Sequence, residues 1–178
     1  MKKLLCALSV VLGAVFSSFP AFSADVFITA EQDSINVGGE AVLFPFSGIN
    51  VSVGGKYNTE GRHEIFTAAC FSNLLCPQIQ IGKKQVSEFG EEERLFGAGL
   101  GLRLRSNNGG QYSLGLLYDK PTSEDSGIES ITSLNVKAAA PIANRLALYT
   151  DFLWSSVSLN EGNGDIYRAV AAGFKYSF

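Results

Sequence analysis

Apolar and polar side chains alternate along much of the chain with a period of two. Between Arg94 and Arg105 the even positions are apolar, from Phe96 to Leu104, and the odd positions include three glycines. Successive side chains of a β-strand point to opposite faces of a sheet. This segment therefore predicts a strand with one continuous apolar face and one face of small residues that ends in arginines.

The same alternation recurs in other parts of the chain and predicts ten antiparallel strands. Their predicted ranges are 25–32, 34–44, 48–57, 63–71, 77–86, 94–105, 111–119, 128–140, 145–158 and 166–178. The connections between them are rich in Gly, Asn, Asp, Ser and Pro, which is the chemistry that turns require. The prediction is an all-β fold of about ten strands, with eight strands as the alternative count.

The small residues on the polar face favour a barrel over a sandwich. A soluble β-sandwich points its apolar face inward, whereas a membrane barrel points it to lipid. Gly, Ala and Ser suit a crowded barrel interior. The longest and most acidic connections, 87–93, 120–127 and 160–165, fall at one end, and short ones fall at the other. This arrangement is typical of outer-membrane barrels, whose termini face the periplasm. A soluble exported β-sandwich is the alternative.

The first residues have the layout of a secretory signal peptide. Lys2 and Lys3 precede an apolar run from Leu4 to Phe16, and small residues favour cleavage after Ser23. The predicted organisation is therefore a signal peptide at 1–23 and an outer-membrane β-barrel at 24–178. The remaining segment has 12 basic and 17 acidic residues. This acidic balance excludes a strongly basic nucleic-acid binder, and the apolar content excludes disorder.

The C-terminus carries aromatic residues at alternate positions, Phe174, Tyr176 and Phe178. This ending resembles the signal by which Gram-negative outer-membrane barrels are recognised by their insertion machinery. It also predicts a closing strand whose lipid face ends in an interfacial aromatic girdle. The expected partners are therefore this machinery, outer-membrane lipid and lipopolysaccharide, with no nucleic acid.

The export signal, the alternating strands and the terminal Phe together resemble small Gram-negative outer-membrane proteins, and more narrowly the YfaZ family. The likeness is most specific at Tyr118 to Ser130 (YDKPTSEDSGIES) and the two strands that follow. The resemblance implies an outer-membrane barrel without an established activity, and it supplies no site residues.

Cys70 and Cys76 are the two cysteines outside the predicted signal peptide. An exported chain folds in an oxidising compartment, so the pair predicts a disulfide that closes a small loop. The alternative is two unpaired thiols at a strand end.

The residues that could serve catalysis are His63, Glu64 and Ser72. A lipid-modifying barrel enzyme needs a nucleophile, a base and an orienting acid within reach of one another. The single His has no Ser two residues away, and a lone loop His is more often solvated than catalytic. We therefore expect no catalytic site, no metal site and no cofactor.

Charged residues on the polar faces of the strands predict a network inside the barrel. Its members are Glu40, Lys56, Lys84, Arg103, Arg105, Glu129, Lys137, Asp151 and Lys175. Unpaired charges away from water are costly, so both signs should pair and fill much of the interior. Asp151 and Glu129 are the expected partners of the arginines. A narrow porin-like channel for ions or small solutes is the alternative.

Acidic residues in the longest connections, Glu91–Glu93 and Glu124–Asp125, are predicted on the cell surface. They are candidates for divalent cations near lipopolysaccharide or for a surface partner, and a solvated acidic rim is the other interpretation.

Overall fold

The computed structural model describes residues 23–32, 34–46, 48–85, 92–123, 126–160 and 164–178. Residues 1–22 of the predicted signal peptide, and the acidic residues Glu91, Glu124 and Asp125, lie outside these ranges. The described residues include no helix that is long and apolar enough to cross a membrane.

Ten strands make up the fold. They are β1 (Ser23–Glu31), β2 (Ser34–Phe46), β3 (Ile49–Asn58), β4 (His63–Phe71), β5 (Leu75–Gln85), β6 (Glu92–Arg105), β7 (Gln111–Pro121), β8 (Ile128–Ala143), β9 (Leu146–Leu159) and β10 (Asp165–Ser177). The prediction of ten strands is confirmed, with the ends displaced by three residues or fewer. The three long connections are shorter than predicted, because Glu92 and Glu93 belong to β6, Lys120 and Pro121 belong to β7, and Asp165 belongs to β10.

Each strand pairs antiparallel with its neighbours in the sequence, and β1 pairs with β10 to close the barrel. Val26 stands opposite Tyr176 in this closing pair. Closure leaves no unpaired sheet edge, which is how barrels avoid edge-to-edge association. The predicted fold class, an antiparallel all-β barrel, is therefore confirmed.

Three irregularities interrupt the register. One lies between Val42 and Phe44 in β2, and two lie in β8, at Ile128/Ser130 and Pro141/Ala143. Proline cannot donate to the ladder, so its place beside a bulge in β8 follows the usual rule for strands.

The barrel exposes apolar side chains on its outer face and buries polar ones inside, which is the reverse of the arrangement in a soluble protein. Large hydrophobic side chains such as Ile65, Phe96, Leu116 and Val170 are exposed on the outer face. Polar side chains such as Asn36, Asp119, Ser133 and Gln80 are buried inside. The strand period of two separates the faces, because consecutive residues point in opposite directions.

The barrel has two ends with different contents. The terminal end carries β1's first residue and β10's last residue, and the distal end is the opposite one. Inside the distal end, the buried side chains of Leu95, Ile131 and Val157 form an apolar cluster, against which Ile128 and Leu159 pack. Among the described residues, this apolar cluster distinguishes the distal end, whereas charged and amide side chains line the interior at both ends.

Candidate functional site

The barrel interior contains a cavity of about 380 Å³. Its lining reaches Arg62 and Lys84 near the distal end and Asn73 and Arg105 at the terminal end. One water needs only about 10–15 Å³ of such space, so the cavity has room for many waters. The interior is therefore a water-accessible space lined by both charged and apolar side chains, and it is the candidate functional site.

Near the terminal end, one ion pair crosses the barrel and another joins adjacent strands. Arg103 Nη2 of β6 donates to Glu40 Oε1 of β2 at 2.6 Å. Lys175 Nζ of β10 lies 2.6 Å from Asp25 Oδ2 of β1 and also donates to Gln111 Oε1 of β7 at 2.6 Å. Since β2 and β6 are separated by three strands, the Arg103–Glu40 pair spans the interior.

A second group lies at mid-depth around Asp151. Lys56 Nζ of β3 is 3.8 Å from Asp151 Oδ2, and Asn135 Nδ2 donates to Asp151 Oδ1 at 2.6 Å. Lys137 stands directly opposite Asp151 in the β8–β9 register. Within the described ranges, Lys137 has no ion pair within 4.0 Å.

Near the distal end, Asp119 is completely buried and is held by two side chains. Lys84 Nζ lies 3.2 Å from Asp119 Oδ2, and Gln80 Nε2 donates to Asp119 Oδ1 at 2.7 Å. The same ammonium lies 3.4 Å from Glu64 Oε2. A buried carboxylate is stable only when it is paired and hydrogen-bonded, and all of these contacts supply that pairing.

Gly97 makes this distal group sterically feasible. It stands opposite Gln80 on β5 and opposite Asp119 on β7, so the amide and the carboxylate meet over a residue without a side chain. A Cβ at Gly97 would lie 1.9 Å from Asp119 Oδ1. The glycine-rich face of β6 is therefore part of the polar group and makes room for its partners.

A run of amides continues at the distal end between β1 and β3. Asn58 Nδ2 donates to Ser34 Oγ at 2.7 Å and to Asn36 Oδ1 at 2.9 Å. Asn36 Nδ2 donates to Glu31 Oε2 at 3.1 Å, and the Tyr167 hydroxyl donates to Glu31 Oε1 at 3.0 Å. These bonds satisfy buried polar groups that would otherwise carry a desolvation cost.

Aromatic rings also enter the interior where the neighbouring strand has glycine. Phe27 stacks on Tyr149 with ring centroids 5.2 Å apart. A Cβ at Gly38 would lie 2.3 Å from the Phe27 ring, and one at Gly54 would lie 2.4 Å from the Phe66 ring. Glycine on the inner face therefore lets each ring lie across the neighbouring strand.

Cys70 and Cys76 form a disulfide, so the predicted pairing is confirmed. The hairpin register of β4 and β5 places these two residues opposite each other, one step from the Phe71–Leu75 pair. Both are buried on the inner face, and Cys76 lines the cavity. The bridge therefore ties the terminal ends of β4 and β5 across the 72–74 turn.

Most of the charged residues that the sequence placed in the interior line the cavity. These are Glu40, Lys56, Lys84, Arg103, Arg105, Lys137, Asp151 and Lys175. The structure corrects the placement of Glu129, which is exposed and does not line the cavity. The reason is the register shift between Ile128 and Ser130, which interrupts the alternation at Glu129.

The arginine partners also differ from the expected ones. Arg103 pairs with Glu40 rather than with Asp151 or Glu129. Arg105 is exposed at the cavity mouth. Four interior acids were not singled out for the network from the sequence: Asp25, Glu31, Glu64 and Asp119. Their alternation with small or polar residues on the same strand face was the signal that could have found them.

The three residues considered for catalysis do not come together. His63 begins β4 at the distal end, and Ser72 follows β4 at the terminal end. A strand rises about 3.3 Å per residue, so the two are roughly 30 Å apart. The His63 ring Nδ1 is 3.2 Å from the Gly61 carbonyl oxygen, and Glu64 points inward to Lys84.

Within the described ranges, no group of three or more His, Cys, Asp and Glu side chains is arranged to hold a metal ion.

The predicted insertion signal lies on the outer face of β10. Phe174, Tyr176 and Phe178 are all exposed, and the rings of the last two meet edge to face with centroids 4.9 Å apart. The Phe178 backbone N–H donates to the Ala24 carbonyl oxygen at 2.8 Å, which continues the β1–β10 pairing to the last residue.

No family model and no curated protein matches the chain. Two solved structures are similar to it: an anion-selective porin from Comamonas acidovorans and the β domain of the Bordetella autotransporter BrkA. The porin is 14% identical with a TM-score of 0.46, over 81% of this chain and 49% of the porin. The chain therefore spans about half the length of that porin. The BrkA β domain is 16% identical with a TM-score of 0.28, over 88% of this chain and 98% of the domain.

Proposed function

We propose that the chain is an integral outer-membrane β-barrel with a charge-paired interior and without catalytic activity. The observation that carries the proposal is the outer surface, on which 26 large hydrophobic side chains are exposed among the described residues. Soluble monomers rarely expose a contiguous apolar patch larger than a few hundred Å². An apolar outer face on a closed barrel is what a bilayer requires, since each strand pairs its backbone groups with a neighbour on both sides.

The aromatic residues at the terminal end support insertion from the periplasmic side. Tyr112, Tyr176 and Phe178 are exposed on the outer face there. Tyrosine and related rings favour the level of the lipid headgroups. We infer that the terminal end faces the periplasm, that 1–23 is a cleaved export signal, and that the terminal aromatics engage the insertion machinery.

The absence of catalysis is also a proposal. It is supported by the separation of His63 and Ser72 at opposite ends of β4. It is also supported by the ion pairs in which Glu64 and Asp119 are engaged, because a carboxylate held by Lys84 is a poor general base. The resemblance to the YfaZ family stays a prediction.

Heat-modifiable migration tests the proposal of membrane insertion. A folded barrel in outer-membrane fractions should migrate differently in gels before and after boiling, and it should resist extraction by urea. Recovery of the protein in the osmotic-shock fraction, with one gel position in both conditions, would contradict insertion and support a soluble exported β-protein.

A narrow path for small solutes is the second candidate function. The observation that favours it is the cavity, whose lining reaches both ends of the barrel. Apart from Lys83, whose strand position points outward, seven Lys and Arg and five Asp and Glu line the cavity, and Asp119 adds one more buried acid inside the barrel. A surplus of cationic groups attracts anions and repels cations in a low-dielectric pore, so such a path would prefer anions.

Planar-bilayer recordings separate the two candidates. A water-containing but closed interior should give no resolved conductance steps. Reproducible small steps, with a reversal potential in a salt gradient that indicates anion preference, would establish the path. Lys137→Gln is the informative variant, because its ammonium has no close ion-pair partner among the described residues and lies at mid-depth.

A further inference from the structure

Charged strand residues on the outer face lie near one end of the barrel. They alternate with exposed apolar residues, so their outward direction follows from the strand period. In the described ranges these residues are His63, Lys83, Glu92, Arg94, Lys120 and Arg168, and Glu129 at the register shift of β8 is exposed there as well. All lie near the distal end. The outer face near the terminal end instead carries Leu104, Tyr112, Ile142 and Phe178, which are all exposed.

Three of these cations lie on adjacent strands and form what we call the cationic patch: Lys83 on β5, Arg94 on β6 and Lys120 on β7. Lys83 and Arg94 stand directly opposite each other in the β5–β6 register. Lys120 stands opposite Phe96, which makes it the diagonal neighbour of Arg94. Diagonal neighbours on one sheet face lie about 7–8 Å apart, within reach of long side chains.

Like charges placed directly opposite each other destabilise a sheet. One carboxylate reduces this repulsion, because Glu92 forms an ion pair with Lys83. Arg94 and Lys120 have no ion pair within 4.0 Å in the part of the chain that the structure describes, and both are exposed. Among the described residues, the patch therefore keeps two cations without an ion-pair partner, next to an apolar surface.

The depth of the cationic patch along the barrel indicates the class of anion that fits it. Each cation of the patch has an exposed apolar residue two positions closer to the terminal end on the same outward strand face. These residues are Ile81, Phe96 and Tyr118. They belong to the apolar surface that we assign to the hydrocarbon, so the cations fall at the level of the headgroups. Arginine binds phosphate through two parallel hydrogen bonds, and basic clusters at membrane surfaces recognise anionic lipid.

We propose that Lys83, Arg94 and Lys120 form a binding site for the phosphate groups of the phosphorylated glycolipid in the outer leaflet. The proposal rests on the proposed function, because the distal end reaches the outer leaflet only if the barrel is inserted with its terminal end in the periplasm. The isolated outward cation Arg168 stands opposite Trp154 rather than opposite another cation, so it serves as a control at the same end.

The test uses the full folded barrel in neutral detergent, titrated with purified bisphosphorylated lipid A. The Lys83→Gln/Arg94→Gln/Lys120→Gln variant should lose at least tenfold in affinity, whereas Arg168→Gln should change affinity by less than about threefold. Lipid A without its phosphates should bind weakly to the natural protein. Unchanged affinity in the triple variant overturns the site.

Two further titrations distinguish the source of the phosphate. Inorganic phosphate that competes at equal concentration, or phosphatidylglycerol that binds as tightly as lipid A, would contradict the glycolipid assignment. Heat-modifiable migration of each variant checks its fold. A natural protein that never inserts into lipid vesicles contradicts the proposed function, whereas one that inserts without binding lipid A contradicts this site alone.

A single substitution keeps the proposal testable if the triple variant does not fold. Arg94→Gln removes the repulsion with Lys83, so its melting temperature in lipid-free detergent should equal or exceed that of the natural protein. When lipid A is added, the melting temperature of the natural protein should rise more than that of the variant. A variant that is less stable in lipid-free detergent and gains equally from lipid A would indicate a merely structural role for Arg94.

Discussion

The distal and terminal halves of the interior hold charges in different ways. In the distal half, Asp119 is 0% exposed and its partners Lys84 and Gln80 meet it over Gly97. In the terminal half, the side chains of Arg103 and Glu40 are 36% and 22% exposed. The distal group therefore resembles a packed core, whereas the terminal pairs lie beside water. In one ion-paired barrel interior, removing a charge partner should therefore lower stability strongly at the buried positions and only slightly at the hydrated ones.

Gly97→Ala should disrupt the polar group around Asp119 in the distal half and cause the largest loss of stability. Its Cβ would lie 1.9 Å from Asp119 Oδ1 and 2.7 Å from the Tyr118 carbonyl oxygen. Overpacking alone costs about 1–3 kcal/mol, and displacing Asp119 from Lys84 and Gln80 adds to this. We expect a loss of more than about 3 kcal/mol in urea unfolding of the refolded barrel, or no folded barrel at all.

Gly101→Ala on the same strand face is the matched control. Its Cβ would meet its nearest neighbour, the Cys76 carbonyl oxygen, at 3.4 Å, which is an ordinary contact. This variant should unfold at nearly the same urea concentration as the natural protein. Equal losses in the two variants would show that glycine matters here for strand conformation rather than for room beside Asp119.

Lys84→Ala should be the next most damaging change. It leaves Asp119 buried with only Gln80 as a side-chain partner, and it also removes a neighbour of Glu64. Removing one partner of a buried ion pair costs about 3–5 kcal/mol, because the other charge remains without compensation. We expect a loss of about 3 kcal/mol in urea unfolding followed by the fluorescence of Trp154.

Lys84→Ala combined with Asp119→Asn tests the reason for that loss. The double variant removes both charges and should recover much of the lost stability. If the double variant is as unstable as the single one, the packing of the Lys84 side chain matters more than the charge of Asp119.

The sequence predicted the strands and the inner faces well, because both follow from a period of two along the chain. It did not predict the partners, because they depend on depth in the barrel. Arg103 meets Glu40 only through the register of the strands between them. The prediction for Glu129 was wrong because a register shift of one residue cannot be recognised from the alternation of apolar and polar residues. Asp119 lies on the inner face of β7, and its burial depends on glycine in the neighbouring strand.

The disulfide tests how much of the stability of the terminal half comes from sources other than its ion pairs. If the ion pairs there contribute little, then the bridge between Cys70 and Cys76 supplies a larger share of the local stability. Closing a loop this short contributes about 2 kcal/mol in the chain-entropy model. The Cys70→Ser/Cys76→Ser variant should lose about 2 kcal/mol, measured by urea unfolding without reductant. Reductant should destabilise the natural protein by a similar amount and leave the variant unchanged.

Arg103→Ala should have the smallest effect of the four, although Arg103 forms the ion pair that spans the interior. The guanidinium and the Glu40 carboxylate both have access to water, so solvent screens their attraction and hydrates Glu40 after the change. Exposed ion pairs typically contribute about 0–1 kcal/mol, so we expect a loss of less than about 1 kcal/mol. The measurement is urea unfolding beside Lys84→Ala under the same conditions. Losses of equal size in Arg103→Ala and Lys84→Ala would refute the distinction between the two halves and show that the terminal pairs are as desolvated as Asp119. A small loss accompanied by larger bilayer conductance would show that the Arg103–Glu40 pair narrows the water-filled space without holding the barrel together.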